Sequence, residues 1–128
     1  MLKAKNLTKK YGNYIALESL NLTVNSGEIF CLLGANGAGK TTTINLFMDF
    51  IHPTAGAVYI NDMEVSKHSS ATKTHVAYIP ENLNLYSDLT GLENLQFFAG
   101  LSNKKPDNLM DTQLLQSVGL AYEAVNKR

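Results

Sequence analysis

The amino-acid sequence predicts an α/β fold in which a glycine-rich loop joins a buried strand to a helix. Ile29 to Leu33 is apolar at every position, as is typical of a strand covered on both faces in a parallel sheet flanked by helices. The glycine-rich segment Gly34 to Thr42 follows directly, and a helical pattern follows the glycines. Strand patterns dominate the first half of the chain and helix patterns the second half.

The strands are predicted from alternating or continuous apolar runs. Leu20, Leu22 and Val24 alternate with polar residues in the period-two pattern of a half-buried strand. Polar turns are expected at Thr8 to Gly12, at Asn25 to Gly27 and at Pro53 to Gly56. The expected strands are Leu2 to Leu7, Leu20 to Val24, Ile29 to Leu33, Ala57 to Ile60 and His75 to Ile79.

The helices are predicted from capping signals and from apolar residues at helical spacing. Thr90 and Glu93 have the spacing of a capping box, in which two side chains satisfy free amides at a helix start. Gly119 is the expected cap of the last helix, and Ser102 to Pro106 is the expected turn before that helix. The expected helices are Lys40 to about Phe50, Thr90 to about Leu101, and Leu109 to Val118.

The glycine-rich segment matches the phosphate-binding P-loop pattern, G-x-x-x-x-G-K-[ST], through Gly34, Gly39, Lys40 and Thr41. Such a loop wraps phosphates with its backbone amides, and glycines allow the close approach that a Cβ would obstruct. The following helix start adds unpaired amides and partial positive charge. We expect Lys40 to reach the β and γ phosphates, Thr41 to bind Mg²⁺ and Thr42 to bind the α phosphate. The sequence therefore predicts binding of a nucleoside triphosphate, ATP with magnesium.

Composition sets limits on the class of protein. The chain has 128 residues, 45% of them apolar, and a formal net charge of zero, which argues against a broad nucleic-acid surface. Cys31 is the only cysteine and is expected to be a buried apolar residue in its run. No apolar stretch approaches the roughly 18 residues that span a bilayer, so a soluble, cytoplasmic chain is expected. His52, His68 and His75 have no metal-site spacing and are expected to be structural.

Several motifs in order resemble the nucleotide-binding domain of ATP-binding-cassette (ABC) transporters, and the resemblance covers nearly the whole chain. The P-loop carries Asn-Gly-Ala-Gly inside it, as that family's loop does. The other segments that resemble the family are Lys10 to Gly12, Pro53 to Gly56 with the strand after it, Tyr78 to Glu81, and Leu89 to Leu95. The resemblance implies an α/β P-loop NTPase (ABC ATPase) core, an antiparallel β subdomain and the start of a helical subdomain, in truncated form.

The resemblance also implies roles for individual residues. Tyr11 is expected to stack on adenine, with Tyr14 as a rival and Ala16 lining the same face. Glu81 stands where the family usually has a glutamine, in the segment called the Q-loop. Some family members, especially exporters, carry glutamate at this position. The alternative interpretation of Glu81 is an exposed acidic residue in a loop. The predicted catalytic residues are Lys40 and Glu81, and the predicted metal contacts are Thr41 and Glu81. The predicted nucleotide-binding residues are Tyr11, Ala16, Gly34, Ala35, Asn36, Gly37, Ala38, Gly39, Lys40, Thr41 and Thr42.

The expected partners follow from the same resemblance. The segment from Glu81 to Asp88 is similar to the surface that receives a coupling helix from a transmembrane subunit, although Leu85 and Tyr86 could instead be buried anchors. A second nucleotide-binding domain is expected to complete a dimer, and no nucleic acid is expected. The chain is expected to be peripheral at the inner face of the membrane through its transmembrane partner.

Two features of the family are missing from the sequence. A hydrolytic carboxylate should follow an apolar strand, but Asp62 comes too soon after the loop helix to serve. The family signature, Leu-Ser-Gly-Gly-Gln or similar, is also absent. We expect residues 1–128 to be the N-terminal part of a nucleotide-binding domain, with the core, β subdomain and Q-loop in 1–88 and the start of the helical subdomain in 89–128. This fragment is expected to bind ATP without hydrolysing it.

The leading interpretation is an ATP-binding subunit that couples ATP binding and hydrolysis to transport, with export favoured. One alternative is a soluble ABC-type switch ATPase that acts on the ribosome or DNA. The other is an unrelated P-loop kinase or GTPase, although no Asn-Lys-x-Asp guanine-reading motif is present.

Overall fold

A computed structural model describes residues 1–101, 105–121 and 125–126. By its internal contacts the chain divides into two compact units, Met1–Ile79 and Pro80–Arg128. The described strands all belong to the first unit, together with two helices, and the second unit is helical. The described helices are too short and too polar to cross a membrane.

The first unit contains a four-stranded antiparallel sheet with the order β2-β1-β3-β4. Its long strands pair because apolar residues recur along both of them and bury one face of the sheet. The strands are β1 Leu2–Tyr11, β2 Tyr14–Val24, β3 Ala55–Ile60 and β4 Met63–Glu64. The sheet corresponds to the antiparallel part of the predicted fold.

Two tight hairpins set the ends of these strands. Tyr11 pairs with Tyr14, so β1 continues through most of the polar residues that were expected to form a turn and ends only at Tyr11. That expected turn from Thr8 was therefore placed too early, because the pairing with β2 satisfies the backbone of the lysine-rich end. Asn61 and Asp62 form the β3–β4 turn with φ values of 47° and 64°, the backbone that a type I′ hairpin requires.

Helix α1 packs on the sheet and completes the core of the first unit. The helices are α1 Lys40–Phe47, α2 Ser69–Lys73, α3 Gly91–Leu101 and α4 Asn108–Ser117. Leu46 of α1 is 1% exposed and lies in one cluster with buried side chains of the sheet. The buried members of that cluster are Ala4, Leu7, Leu46, Val58, Ile60 and Val65.

Helix α1 ends three residues earlier than the predicted end at Phe50. The Asp49 amide donates to the Leu46 carbonyl at 3.3 Å, and the Phe50 amide donates to the Asn45 carbonyl at 2.9 Å. Asp49 has a φ of 56°, so these two bonds form a Schellman cap with aspartate where glycine is usual. The helix therefore ends through its own backbone cap, before Pro53 could restrict it.

Two predicted strands, Ile29 to Leu33 and His75 to Ile79, belong to no sheet in the described part of the chain. Ile29 is fully exposed and Leu33 is 85% exposed. An apolar run indicates that a segment can be buried, but a strand also needs a neighbour to hydrogen-bond with its backbone. Neither segment has such a neighbour among the described strands, so both predictions were wrong for this chain.

The second unit shows the predicted helix signals. The Thr90 amide donates to Glu93 Oε2 at 2.7 Å and the Glu93 amide donates to Thr90 Oγ1 at 3.1 Å, which confirms the capping box. Gly119, with a φ of 92°, and Leu120 close a Schellman cap on α4 through bonds of 3.0 and 3.2 Å. The expected turn from Ser102 to Pro106 lies partly outside the described residues.

Candidate nucleotide-binding site

The loop before α1 has backbone angles that favour glycine. Gly37 and Gly39 both have a φ of 85°, in the left-handed region that an L side chain adopts only at a cost. The Ala38 amide donates to the Ala35 carbonyl at 3.1 Å and tightens the turn between them. Gly39 is buried and forms the N-cap of α1, so the loop runs directly into the helix start.

Gly39 is where the loop touches strand β2. A Cβ at this position would lie 2.7 Å from the Ala16 carbonyl oxygen and 3.2 Å from Leu17 Cδ1. Only glycine allows the two backbones to approach this closely. The contact brings Ala16, which was predicted from the resemblance alone, against the end of the loop.

Lys40 folds back over the loop. Its Nζ donates to the carbonyl oxygens of Gly34 at 2.6 Å and Ala35 at 2.8 Å. The ammonium group is thus held at the loop by two neutral acceptors. A phosphate oxygen is a stronger partner for it, because a hydrogen bond between two charged groups is roughly twice as strong as a neutral one.

The start of α1 is open to an anion. No described side chain caps the helix, and its first turn carries no acidic residue. Thr41 is exposed and Thr42 is half-buried, so the Thr41 hydroxyl borders solvent at the helix start. Thr43 points the other way: it is buried and its Oγ1 donates to the Gly39 carbonyl at 2.9 Å. The helix N-terminus and Lys40 together supply positive potential at the loop.

Tyr11 lies at the end of β1, next to the hairpin turn, and the residue is 50% exposed. Its partner across the hairpin, Tyr14, is exposed to a similar extent, so exposure does not separate the two candidates for base stacking. Lys9 Nζ lies 4.9 Å from the centroid of the Tyr11 ring, and the structure shows no such cation over Tyr14 among its described residues.

Glu81 belongs to the second unit, in the irregular segment that follows Pro80, and it is exposed. The residues from Asn82 to Asp88 are exposed as well, including Leu85 and Tyr86. The structure therefore brings the P-loop and Ala16 together within the first unit and places the expected partner-facing segment in the other.

The loop fits a triphosphate by its shape and its charge. Gly37 and Gly39 give the loop its left-handed backbone, and the Lys40 ammonium group lies on the loop's own carbonyls. No group of three or more His, Cys, Asp or Glu side chains among the described residues could hold a metal ion by itself. A magnesium ion here would need oxygen atoms of the nucleotide in addition to Thr41, which is the usual way in which proteins bind this ion.

Sequence reasoning did not single out three residues that shape the site. Leu17 packs against Gly39, Thr43 bonds the Gly39 carbonyl, and Lys9 lies over Tyr11. Lys9 and Tyr11 are two residues apart on one strand and so share a face, which is the signal that could have suggested their contact.

Cys31 is exposed, contrary to the expectation of burial. It lines a cleft of about 500 Å³ whose other walls are mainly apolar and include Phe30 of the unpaired run and Ile44 of α1. Cys31 is exposed for the same reason as the rest of Ile29 to Leu33: among the described strands, none pairs with this run.

Comparisons with known proteins place these features in a family. The model of the "ABC transporter" family matches residues 17–127. A protein named "Probable multidrug ABC transporter ATP-binding protein YbhF" from Escherichia coli (strain K12) is 40% identical over 79% of this chain and 18% of its own length. The "Bacitracin transport ATP-binding protein BcrA" of Bacillus licheniformis is 36% identical over 96% of this chain and 40% of its own length. The chain thus spans between about a fifth and two fifths of these relatives.

Solved structures of ATP-binding cassettes have the same fold as this chain. The "Dimeric structure of a post-hydrolysis state of the ATP-binding cassette MJ0796 bound to ADP and Pi" matches all of this chain and 61% of its own, with a TM-score of 0.78 and 27% identity. The "Structure of ATP binding subunit of ABC transporter" matches 98% of this chain and 53% of its own, with a TM-score of 0.80 and 30% identity. By sequence and by fold, this chain belongs to the ABC transporter family, among relatives named as its ATP-binding proteins.

Proposed function

We propose that this chain binds ATP with Mg²⁺ as part of a subunit that couples ATP binding and hydrolysis to transport by an ABC transporter. The observation that carries the proposal is the P-loop cradle, in which Lys40 Nζ lies on the carbonyls of Gly34 and Ala35 at the open start of α1. Two relatives bear names that refer to multidrug and bacitracin transport, and this supports export as the direction.

Each predicted residue has a role in the proposal. Lys40 would leave its two carbonyls and pair with the β and γ phosphates, while free backbone amides of the loop and of the helix start would surround them. The Thr41 hydroxyl would hold Mg²⁺, which would supply neutralisation of phosphate charge. Tyr11 would stack on adenine, with Ala16 beside it, and Glu81 would be a carboxylate for the magnesium ion. In the family to which the chain belongs, such a site serves ATP hydrolysis.

Hydrolysis is proposed for the full-length protein, and binding alone for the 128-residue chain. A hydrolytic carboxylate must be placed at the end of a strand beside the loop. In the sequence, Asp62 resembles such a carboxylate because it follows an apolar strand. Asp62 lies in the β3–β4 hairpin turn. This position supports the interpretation that Asp62 is not the catalytic acid.

The proposed partners are a transmembrane subunit and a second nucleotide-binding domain. The exposed segment from Glu81 to Asp88 is the proposed contact with the transmembrane subunit, which would hold the chain at the cytoplasmic face of the membrane. A solved relative of the same fold is titled as a dimer, and this supports pairing of two such domains. No nucleic-acid partner is proposed.

The test is ATP binding by calorimetry with the full-length protein and with residues 1–128, in the presence of Mg²⁺. Lys40→Ala should weaken ATP binding by at least about tenfold, or 1.4 kcal/mol, because the triphosphate loses its charged partner. Lys73→Ala is the matched control, since Lys73 is an exposed lysine in the last turn of α2. Equal ATP affinity of the parent protein and Lys40→Ala would contradict the proposal that the P-loop binds the triphosphate.

Transport can be tested separately. Expression of the full-length protein with its transmembrane subunit should raise the bacitracin or drug concentration that sensitive cells tolerate, and Lys40→Ala should abolish the effect. If the parent protein binds ATP but drives no efflux in reconstituted vesicles, then the export part of the proposal is wrong while the nucleotide site stands.

A further inference from the structure

Lys9 is held between the Tyr11 ring and the segment that follows the P-loop helix. Its Nζ lies 4.9 Å from the ring centroid and donates to the His52 carbonyl oxygen at 2.7 Å. A lysine with one bond and one ring contact has much less freedom than an ordinary surface lysine. Its ammonium group therefore stays over one face of Tyr11.

The acceptor of this bond is itself fixed. His52 Nδ1 lies 3.4 Å from Asp49 Oδ1, next to the Schellman cap of α1. Two residues on, the Thr54 amide donates to the Thr8 carbonyl at 2.8 Å, and Thr54 Oγ1 accepts from the Lys10 amide at 3.0 Å. The segment that carries the His52 carbonyl is thus bonded to β1 and follows the helix that starts at the P-loop.

The contact has a consequence for the ring. A cation is attracted to the negative face of an aromatic ring, so Lys9 favours one orientation of Tyr11 and covers one of its two faces. Tyr11 is half-exposed, and the face that Lys9 does not cover is where a flat partner such as a nucleobase would stack; such stacking tolerates any base. A ring that is already ordered loses less entropy when the base binds.

We propose that Lys9 is a positioning residue for nucleotide binding: it orders Tyr11 and directs adenine to the ring face that Lys9 does not cover. This inference rests on the proposed role of Tyr11 as the adenine contact. Lys9 acts on the base through Tyr11 and has no part in binding the phosphates. It should therefore influence the affinity for ATP and leave the affinity for an inorganic triphosphate unchanged.

The experiment compares two ligands on the full-length protein, Mg-ATP and Mg-tripolyphosphate, by calorimetry. Lys9→Met keeps the aliphatic stem and removes the cation; it should weaken ATP binding by about two- to fivefold and leave tripolyphosphate binding unchanged. Lys9→Arg should restore ATP affinity, because a guanidinium group also lies well on aromatic rings. Lys10→Met is the matched control, since Lys10 is the neighbouring exposed lysine of the same strand.

A double variant tests whether Lys9 acts through the ring. Tyr11→Ala should weaken ATP binding more than tripolyphosphate binding, and Lys9→Met should cause no further loss in the Tyr11→Ala background. If Tyr11→Ala affects both ligands equally, the adenine contact itself is wrong, which is a failure of the proposed function and removes the basis for Lys9.

Three other outcomes would overturn the role of Lys9 while leaving Tyr11 in place. Equal weakening of both ligands by Lys9→Met would mean that the lysine acts on the phosphates by charge. Tighter ATP binding would mean that Lys9 occupies the face that the base needs. Unchanged ATP binding would mean that the contact has no role. Lys9→Gln gives the same comparison if Lys9→Met does not fold, as judged by thermal unfolding.

Discussion

Asn94 and Tyr86 exchange two hydrogen bonds, from the Tyr86 amide to Asn94 Oδ1 at 2.9 Å and from Asn94 Nδ2 to the Tyr86 carbonyl at 3.0 Å. Nδ2 also donates to the carbonyls of Leu89 at 3.2 Å and Thr90 at 3.0 Å. Asn94 is 4% exposed, so its side-chain amide makes these bonds away from water. One amide side chain on α3 thereby holds the backbone of the loop that precedes the helix.

Replacement of Asn94 should loosen that loop. Asn94→Ala leaves several backbone groups without their partner and should lower the free energy of unfolding by about 2–3 kcal/mol. Asn94→Asp should be comparably harmful, because a carboxylate would face carbonyl oxygens where Nδ2 now donates. Thermal unfolding and hydrogen exchange at the Tyr86 amide measure both effects. Asn84→Ala, in the exposed part of the same loop, should change neither; full protection of the Tyr86 amide in Asn94→Ala would contradict the prediction.

Gly39 and Gly37 form a matched pair, because both have a φ of 85°. Alanine at either position should cost about 1–2 kcal/mol from backbone strain. Gly39→Ala should cost more, since its Cβ would meet the Ala16 carbonyl at 2.7 Å, whereas the Cβ of Gly37→Ala would meet nothing within 4 Å. Chemical denaturation of the two variants measures the difference. Equal stabilities would mean that the loop moves away from β2 without cost.

The capping box at α3 should be measurable from Thr90. Thr90→Ala removes the acceptor of the Glu93 amide at 3.1 Å and should destabilise the protein by about 1 kcal/mol. Thr90→Ser keeps the hydroxyl and should retain most of the stability. A thermal melt of the three proteins makes the comparison, and a Thr90→Ser variant as unstable as Thr90→Ala would show that the hydroxyl bond contributes nothing.

Glu64 provides a prediction about pH. The hydrogen bond from Lys67 Nζ, at 2.7 Å, and a second one from Ser66 hold the pKa of the Glu64 carboxyl below its ordinary value. A carboxyl whose pKa is lowered on folding stabilises the protein above its unfolded pKa, and this contribution is lost as pH falls through the folded pKa. The contribution is small because both groups border solvent. An NMR titration of the carboxyl should show a midpoint below that of an ordinary glutamate, and the midpoint should rise in Lys67→Met; an unchanged midpoint would contradict the assignment.

The features that could be predicted from the sequence are those that depend only on residues close together in the chain. The capping box at Thr90 and the Gly119 cap depend on residues within one helical turn, so their sequence spacing was sufficient. The Asp49 cap was missed because the usual signal is glycine, and aspartate adopts the same backbone less often. The β1–β2 hairpin ran further than predicted because the pairing of the strands overrode the polarity of the lysine-rich end.

The sequence by itself determined the P-loop, since the residues from Gly34 to Thr42 carry their backbone preferences and charge with them. Only the tertiary structure decided what the loop touches. The Ala16 carbonyl against Gly39 and the Lys9 ammonium over Tyr11 join elements whose approach depends on how α1 and the sheet pack. The tertiary structure also left Ile29 to Leu33 outside the sheet, because apolar residues make a strand possible but a backbone partner makes it form.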